Sequence, residues 1–263
     1  MTYVHENGVK ALDDITLKME AGETVAIVGE NGAGKTTLIK HVTGLLKPTS
    51  GTVLVDGIDT RKTSTATLSR KIGVAFQNPD HQLFSESVKE EMAFALRNFG
   101  FPPHLVDQRV TWGLQLFGLA EYRESSPLVL SGGEKKRLTL ACILAWDPAV
   151  VILDEPTVGQ DAIQKEKLAG TIKMLGSTGK TVVVVSHDIE FLWPLQPRVV
   201  VMKSGRIVAD GPAADIMTRM QMLESSRVAE PQLVSFYQAL SRRPASPFVD
   251  ALEARAWIEG GQP

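Results

Sequence analysis

Gly29-Glu30-Asn31-Gly32-Ala33-Gly34-Lys35-Thr36 follows an apolar run, Thr24 to Val28, and opens a helical pattern from Lys35 towards Leu46. The run is hydrophobic almost throughout, as a strand covered on both faces must be. The eight residues fit G-x-x-x-x-G-K-[ST] in the strand–loop–helix setting that gives this pattern its meaning. Backbone N–H groups of a loop without bulky side chains can close around phosphate oxygens. The helix N-terminus adds positive potential there. Lys35 is then placed to reach terminal phosphates, and the Thr36 hydroxyl to ligate a divalent cation.

Working outward, Val150-Val151-Ile152-Leu153-Asp154-Glu155 is a second apolar strand, and it delivers two acids at its carboxyl end. Ligands bind at such ends in open parallel sheets. Asp154 suits the shell of a divalent cation, and Glu155 can polarise an attacking water as general base. Further strands are expected at Ile72 to Phe76, Thr181 to Val185 and Val199 to Met202, alternating with helices near Ala162 to Leu175 and after His187. That alternation predicts a mostly parallel sheet with crossover helices. Near the N-terminus, Ile15, Leu17 and Met19 alternate with polar residues and predict the end of a half-exposed strand. Thr52 to Val55 with Asp56-Gly57 predicts a strand entering a tight hairpin.

Residues 78–147 change character. Helical patterns run from Ser87 to Arg97, from about Leu105 to Phe117, and from Ser131 to Asp147-Pro148. Ser87-Val88-Lys89-Glu90 and Ser131-Gly132-Gly133-Glu134 both have capping-box spacing. The α/β core is therefore interrupted by an all-helical insertion. After about residue 220 Pro231, Pro244 and Pro247 divide a tail in which Leu233, Phe236, Tyr237 and Leu240 fall at helical spacing. Residues 221–263 are read as a helical tail, either packed on the core or serving as a dimerisation or partner segment.

The 263 residues carry 28 basic and 30 acidic side chains, a formal charge of −2. No net basic field directs the chain to nucleic acid. The single cysteine, Cys142, excludes an internal disulfide and a Cys-rich zinc site and fits a reducing compartment. No apolar run approaches the roughly 18–20 residues of a membrane span, and Met1 to Glu6 lacks the character of a secretory signal. The expectation is a cytosolic chain that serves a membrane only through a partner.

Leu130-Ser131-Gly132-Gly133-Glu134 adds small residues and a hydroxyl at a helix N-terminus. With the loop and the acidic strand in this order, the chain resembles the ATP-binding cassette (ABC) ATPases over about residues 3 to 215. Gly29 to Thr36 matches their Walker A, Asp154-Glu155 closes their Walker B, and Leu130 to Glu134 is their signature sequence. The resemblance implies an α/β P-loop NTPase core with an N-terminal antiparallel β subdomain and an inserted helical subdomain, together spanning residues 1–220. ATP and Mg²⁺ are the implied ligands. Residues 29–36 and the adjoining Thr37 would hold the nucleotide, and Thr36, Gln77 and Asp154 the metal. Glu155, His187, Gln77 and Lys35 would carry catalysis. Gln77 looks like the Q-loop glutamine, His187 like the switch histidine, and Tyr3 like the aromatic that stacks on adenine. His5, His41, His81 and His104 have no such context. Asp161 resembles the D-loop aspartate, although Gly159-Gln160-Asp161 departs from the usual Gly-Leu-Asp. Two such cassettes pack head to tail, so that Ser131, Gly132 and Gly133 of one chain cap the γ-phosphate held by another. A second ATPase chain, identical or different, is therefore an implied partner.

Translation-type relatives usually carry two cassettes per chain and repair-type relatives carry long coiled coils; neither matches 263 residues with a short insertion. An intact Glu155 and His187 disfavour a mere nucleotide-binding regulator. Phe76-Gln77-Asn78-Pro79-Asp80-His81-Gln82-Leu83-Phe84 closely resembles the segment after the Q-loop in energy-coupling factor and cobalt-type importer ATPases. That implies a chain at the cytoplasmic face of a membrane, with a transmembrane coupling protein and a separate substrate-binding membrane protein as partners. The cargo would be a vitamin or a transition-metal ion. A conventional importer for amino acids or lipoproteins is the alternative. Leu83, Phe84, Met92 and Phe94 are expected to receive a helix of the coupling protein, with Asp80, Glu86, Glu90 and Glu91 as an acidic rim.

Overall fold

The computed structural model describes residues 1–260. The chain opens with an antiparallel ladder of β1 (Tyr3–Val4) and β2 (Lys10–Leu12). Strand β3 (Thr24–Val28) runs into the glycine loop, and α1 (Lys35–Val42) rises from it. A second ladder, β4 (Leu54–Val55) with β5 (Ile58–Asp59), turns through Asp56 and Gly57. Both turn residues have positive φ, 51° and 76°, the combination that matches a two-residue hairpin to the twist of its strands. α2 (Thr65–Ser69) and β6 (Ile72–Ala75) lead out to the insertion, formed by α3 (Val88–Asn98), α4 (Pro103–Leu116) and α5 (Gly132–Ala145). The core resumes with β7 (Val150–Asp154), α6 (Ala162–Ser177), β8 (Thr181–Val185), α7 (Ile189–Leu192), β9 (Arg198–Lys203) and β10 (Arg206–Pro212). Four short helices follow: α8 (Ala213–Ile216), α9 (Met220–Ser225), α10 (Gln232–Ala239) and α11 (Ala251–Glu259).

The main sheet has the order β10-β9-β3-β8-β7-β6, parallel throughout except for β10 at the edge. Alternation within these strands supplies both faces of the core. Ala26, Val28, Val151, Leu153, Val182 and Val184 enter one buried cluster, which continues through Met92, Val110 and Leu138 of the insertion. Their neighbours Val25, Ile27, Ile152, Val183 and Val185 enter the other, beneath α1 and the N-terminal ladders. Each fully buried Val or Ile contributes about 1.5–3 kcal/mol relative to exposure, so the strands are held from both sides. Their carboxyl ends are thereby fixed.

The local expectations differ from the structure at three places. Ile15, Leu17 and Met19 do turn inward while Thr16 and Lys18 face out, but the segment pairs with no strand and remains irregular. Helix α1 stops at Val42, with Gly44 in left-handed backbone (φ 74°) just beyond it, rather than continuing to Leu46. At α3 the Ser87 hydroxyl accepts from the Glu90 N–H at 3.2 Å, yet the Glu90 carboxylate turns to Arg97 instead of back to Ser87. The box at α5 is complete: Glu134 N–H donates to Ser131 Oγ (3.3 Å) and Ser131 N–H to Glu134 Oε2 (2.8 Å). Among the described residues no helix is long and apolar enough to cross a membrane.

The tail folds back on the core. Val234 of α10 joins the sheet's buried cluster. The indole Nε1 of buried Trp193 donates at 2.8 Å to the carbonyl of Phe248, which lies between α10 and α11. Replacing Trp193 by Phe should leave that carbonyl unpaired and cost about 1–3 kcal/mol. Chemical denaturation reads the loss, and an unchanged midpoint would mean that the contact between core and tail contributes nothing.

Candidate active site

Three parallel neighbours, β3, β8 and β7, end side by side, and the loops that leave them carry the Gly29–Lys35 turn, His187 and Glu155. Loop 29–34 is shaped by positive φ at Gly29 (147°), Gly32 (81°) and Gly34 (100°). At Gly29 and Gly34 only glycine avoids collision. A Cβ on the first would lie 2.1 Å from Met202 O, and on the second 2.7 Å from Ala11 O. The loop wraps the Lys35 ammonium, which donates to Gly29 O (2.7 Å) and Glu30 O (3.0 Å).

A cavity of about 530 Å³ opens above these strand ends. It is lined by Asn31, Gly32, Gly34, Lys35, Thr36 and Thr37 from the loop and α1, by Asp154 at the end of β7 and Glu155 just beyond it, and by Gln77 and His187. Gly29, Glu30 and Ala33 complete the loop behind this lining, Ala33 being fully buried. Asp154 and Glu155 are both buried, 4% and 7% exposed. Burial holds the Asp154 carboxyl above the usual carboxylate range, an effect only partly offset by the Thr36 hydroxyl, which donates to Oδ2 at 3.3 Å. Desolvation likewise lowers Lys35, while Glu155, Asp154 and Glu30 pull it back up. Glu155 takes left-handed backbone (φ 50°) and donates its N–H to Val185 O at 2.8 Å. Its Oε2 lies 2.8 Å from Nδ1 of the exposed His187 ring. With the carboxylate ionised, Nδ1 carries the proton of that bond.

The donors fit a hard divalent cation that shares its shell with phosphate. Thr36, Gln77 and Asp154 offer oxygen only, and among the described residues no group of three His, Cys, Asp or Glu is placed to hold a metal unaided. Mg²⁺ is bound in that manner, through one or two carboxylates plus substrate phosphates.

Several expected residues stand elsewhere. Ser131, Gly132 and Gly133 head α5 in the insertion, outside the cavity lining, and Asp161 caps α6 by accepting from Gln164 N–H at 2.8 Å. Tyr3 does not line the cavity: its ring packs edge-on against His41 (4.6 Å) and His5 (5.0 Å). His5 takes the lining position instead, with Val9, Lys10 and Ala11. His5 directly follows β1, and no local pattern in the sequence singled it out. Ser204 and Gly205, on the β9–β10 turn, complete the wall. Arg227, at the start of the tail, reaches Glu30 at 3.2 Å, an exposed pair worth at most about 1 kcal/mol. Nothing local in the sequence pointed to either contact.

A family model described as "ABC transporter" matches residues 12–158. A putative ABC transporter ATP-binding protein of Methanosarcina acetivorans is 42% identical over 88% of this chain, which spans only 38% of that protein's length. The energy-coupling factor transporter ATP-binding protein EcfA of Methanothermobacter thermautotrophicus is 38% identical over 91% of this chain and 78% of its own length. Among solved structures, CbiO1 of Clostridium perfringens, part of the ABC transporter complex CbiONQ, superposes with a TM-score of 0.75 at 32% identity, covering 90% of this chain and 96% of that one. The ATP-binding cassette MJ0796, a dimer in a post-hydrolysis state bound to ADP and phosphate, superposes at 0.73 with 29% identity, covering 80% and 95%. The glycine loop, the acids at the carboxyl end of β7 and the helix headed by Ser131 thus lie in an architecture shared with these proteins, and the chain belongs to the ABC transporter family of ATP-binding proteins.

Proposed function

We propose that the chain is the ATP-hydrolysing subunit of an energy-coupling factor type importer, peripheral to the cytoplasmic face of a membrane. The observation that carries this reading is one cavity joining Lys35, Thr36, Asp154, Glu155, Gln77 and His187. Lys35 and the N–H groups of the glycine loop bind the β- and γ-phosphates of ATP. Thr36, Gln77 and Asp154 hold Mg²⁺, which neutralises phosphate charge when bound. Glu155 takes a proton from the water that attacks the γ-phosphorus, while the bridging oxygen leaves with ADP. His187, bonded to Glu155, contacts the γ-phosphate. His5 borders the part of the cavity nearest the N-terminal ladder.

Ser131, Gly132, Gly133 and Asp161 act on the cavity of a second cassette, identical or different, and lie away from their own chain's cavity as that requires. Loss of the γ-phosphate then weakens the dimer. The similarity to EcfA and CbiO1 supports the energy-coupling factor type; the cargo that goes with this reading is a vitamin or a transition-metal ion, delivered by a separate substrate-binding membrane protein.

The docking surface for a transmembrane coupling protein is narrower than the sequence suggested. Leu83 and Met92 are core residues, 7% and 0% exposed, whereas Phe84 and Phe94 are 66% and 47% exposed. Their rings meet edge-to-face at 4.8 Å. Of the expected acidic rim, Glu91 is buried, Asp80 is paired with Lys135 and Glu90 with Arg97. Glu86 remains exposed. The helix of the partner therefore seats on the aromatic pair.

The test is to express the chain with its neighbouring membrane proteins and replace Phe84 and Phe94 together by Ser. Assembly should be lost while basal hydrolysis by the purified chain stays within about 2-fold, as for surface substitutions away from a site. Basal hydrolysis should also rise more than linearly with protein concentration in the dilute range. Intact assembly would move the docking surface elsewhere, and a wild-type chain without ATPase activity at any concentration, both alone and together with the cassette encoded beside it, would overturn the functional reading.

A further inference from the structure

The left-handed backbone of Glu155 persists only if its surroundings hold it. One tether lies in the sheet, the bond from Glu155 N–H to Val185 O. The other comes from the insertion. Lys136, in the second turn of α5, is half-buried, and its ammonium meets three carbonyl oxygens of the segment after β7. Glu155 O and Pro156 O lie 3.4 Å away, and Val158 O is in closer contact. An ammonium has three donors, so this one segment satisfies them all. The adjacent basic residues point elsewhere. Lys135 pairs with Asp80 at 2.7 Å, and Arg137 donates to Phe117 O (3.0 Å) and Gln164 Oε1 (3.2 Å).

We propose that Lys136 is a positioning residue that aims Glu155: by holding the carbonyls of Glu155, Pro156 and Val158, it makes the direction of the Glu155 carboxylate depend on where α5 sits. The insertion and the base are then linked inside one chain. Displacement of α5 relative to β7 withdraws the ammonium, the loop relaxes, and the carboxylate leaves the line of the attacking water. A partner that moves the insertion would thereby act on hydrolysis without touching the cavity. The proposal rests on Glu155 as the base. It assigns Lys136 no contact with nucleotide.

Lys136→Met keeps most of the aliphatic stem and removes the donors, whereas Lys136→Arg keeps charge and donors. In Lys136→Met, kcat should fall about 10- to 100-fold, the scale of a small misplacement of a reacting group. KM for ATP and the thermal midpoint should change little. Lys136→Arg should recover a substantial part of the rate. Single-turnover measurements on Glu155→Gln with Lys136→Met should be no slower than on Glu155→Gln alone, because a residue acting through Glu155 has nothing left to aim. Normal kcat in Lys136→Met, or losses that multiply in the double variant, would overturn the proposal. So would a fall in kcat that tracks a collapsed thermal midpoint and is not rescued by Arg. Glu155→Gln turning over normally would instead remove the base assignment itself.

Discussion

Glu155→Gln should slow steady-state ATP turnover at least ~10²-fold while leaving nucleotide binding in place, as loss of a general base requires. The substitution is isosteric, and the left-handed turn and the N–H bond to Val185 O are backbone features that it does not touch. The amide can still meet His187 Nδ1 where the carboxylate Oε2 now lies, at 2.8 Å. What disappears is basicity. Lys35, with the glycine loop wrapped around its ammonium, continues to meet the phosphates. The variant should therefore accumulate as an ATP-bound dimer, seen by sedimentation. Phosphate release at the wild-type rate would show that the proton goes elsewhere.

Gly29→Ala should be the most damaging single methyl in the protein's phosphate loop. Its Cβ would stand 2.1 Å from Met202 O and 3.1 Å from Met202 C, at a φ of 147°. Val28 is paired with Val201 in the β3–β9 ladder, so relief requires prising apart two neighbouring strands in the middle of the sheet. Overpacking and backbone strain together should cost about 3 kcal/mol or more. Gly32→Ala is the control: its φ is 81°, but nothing lies within 4 Å of the added carbon, so only the left-handed penalty of about 1–2 kcal/mol applies. Urea midpoints at constant slope separate the two. Equal losses would mean that the close approach to Met202 is unimportant.

The glycine loop was legible in the sequence because its cause is local. Positive φ at Gly29, Gly32 and Gly34, an apolar strand before and a helix after are properties of adjacent residues, as is the Ser131–Glu134 box at the head of α5. The two acids at the carboxyl end of β7 were legible for the same reason. Helical spacing marked both Met92 and Phe94 as apolar, and Leu83 and Phe84 stand side by side in the preceding segment, but neither pattern said which of each pair faces out.

Sequence alone thus determined the strand–loop–helix around Lys35, the acidic strand, the helical insertion and their order along the chain, since each depends on the propensities of a few consecutive residues. Tertiary structure decided the strand order β10-β9-β3-β8-β7-β6, which brings Lys35, Glu155 and His187 to one cavity. It decided that His5 rather than Tyr3 lines that cavity, and that Glu91 is buried beneath Phe84, where its carboxylate accepts the N–H groups of Phe84 (2.8 Å) and Ser85 (2.7 Å). It also turned Lys136 from one of three basic residues on a helix into the support of a loop about twenty positions away. The physical reason is common to all of these. They are packing choices between segments distant in sequence, settled by which apolar face each element must bury, and no local pattern encodes the neighbour that a face will meet.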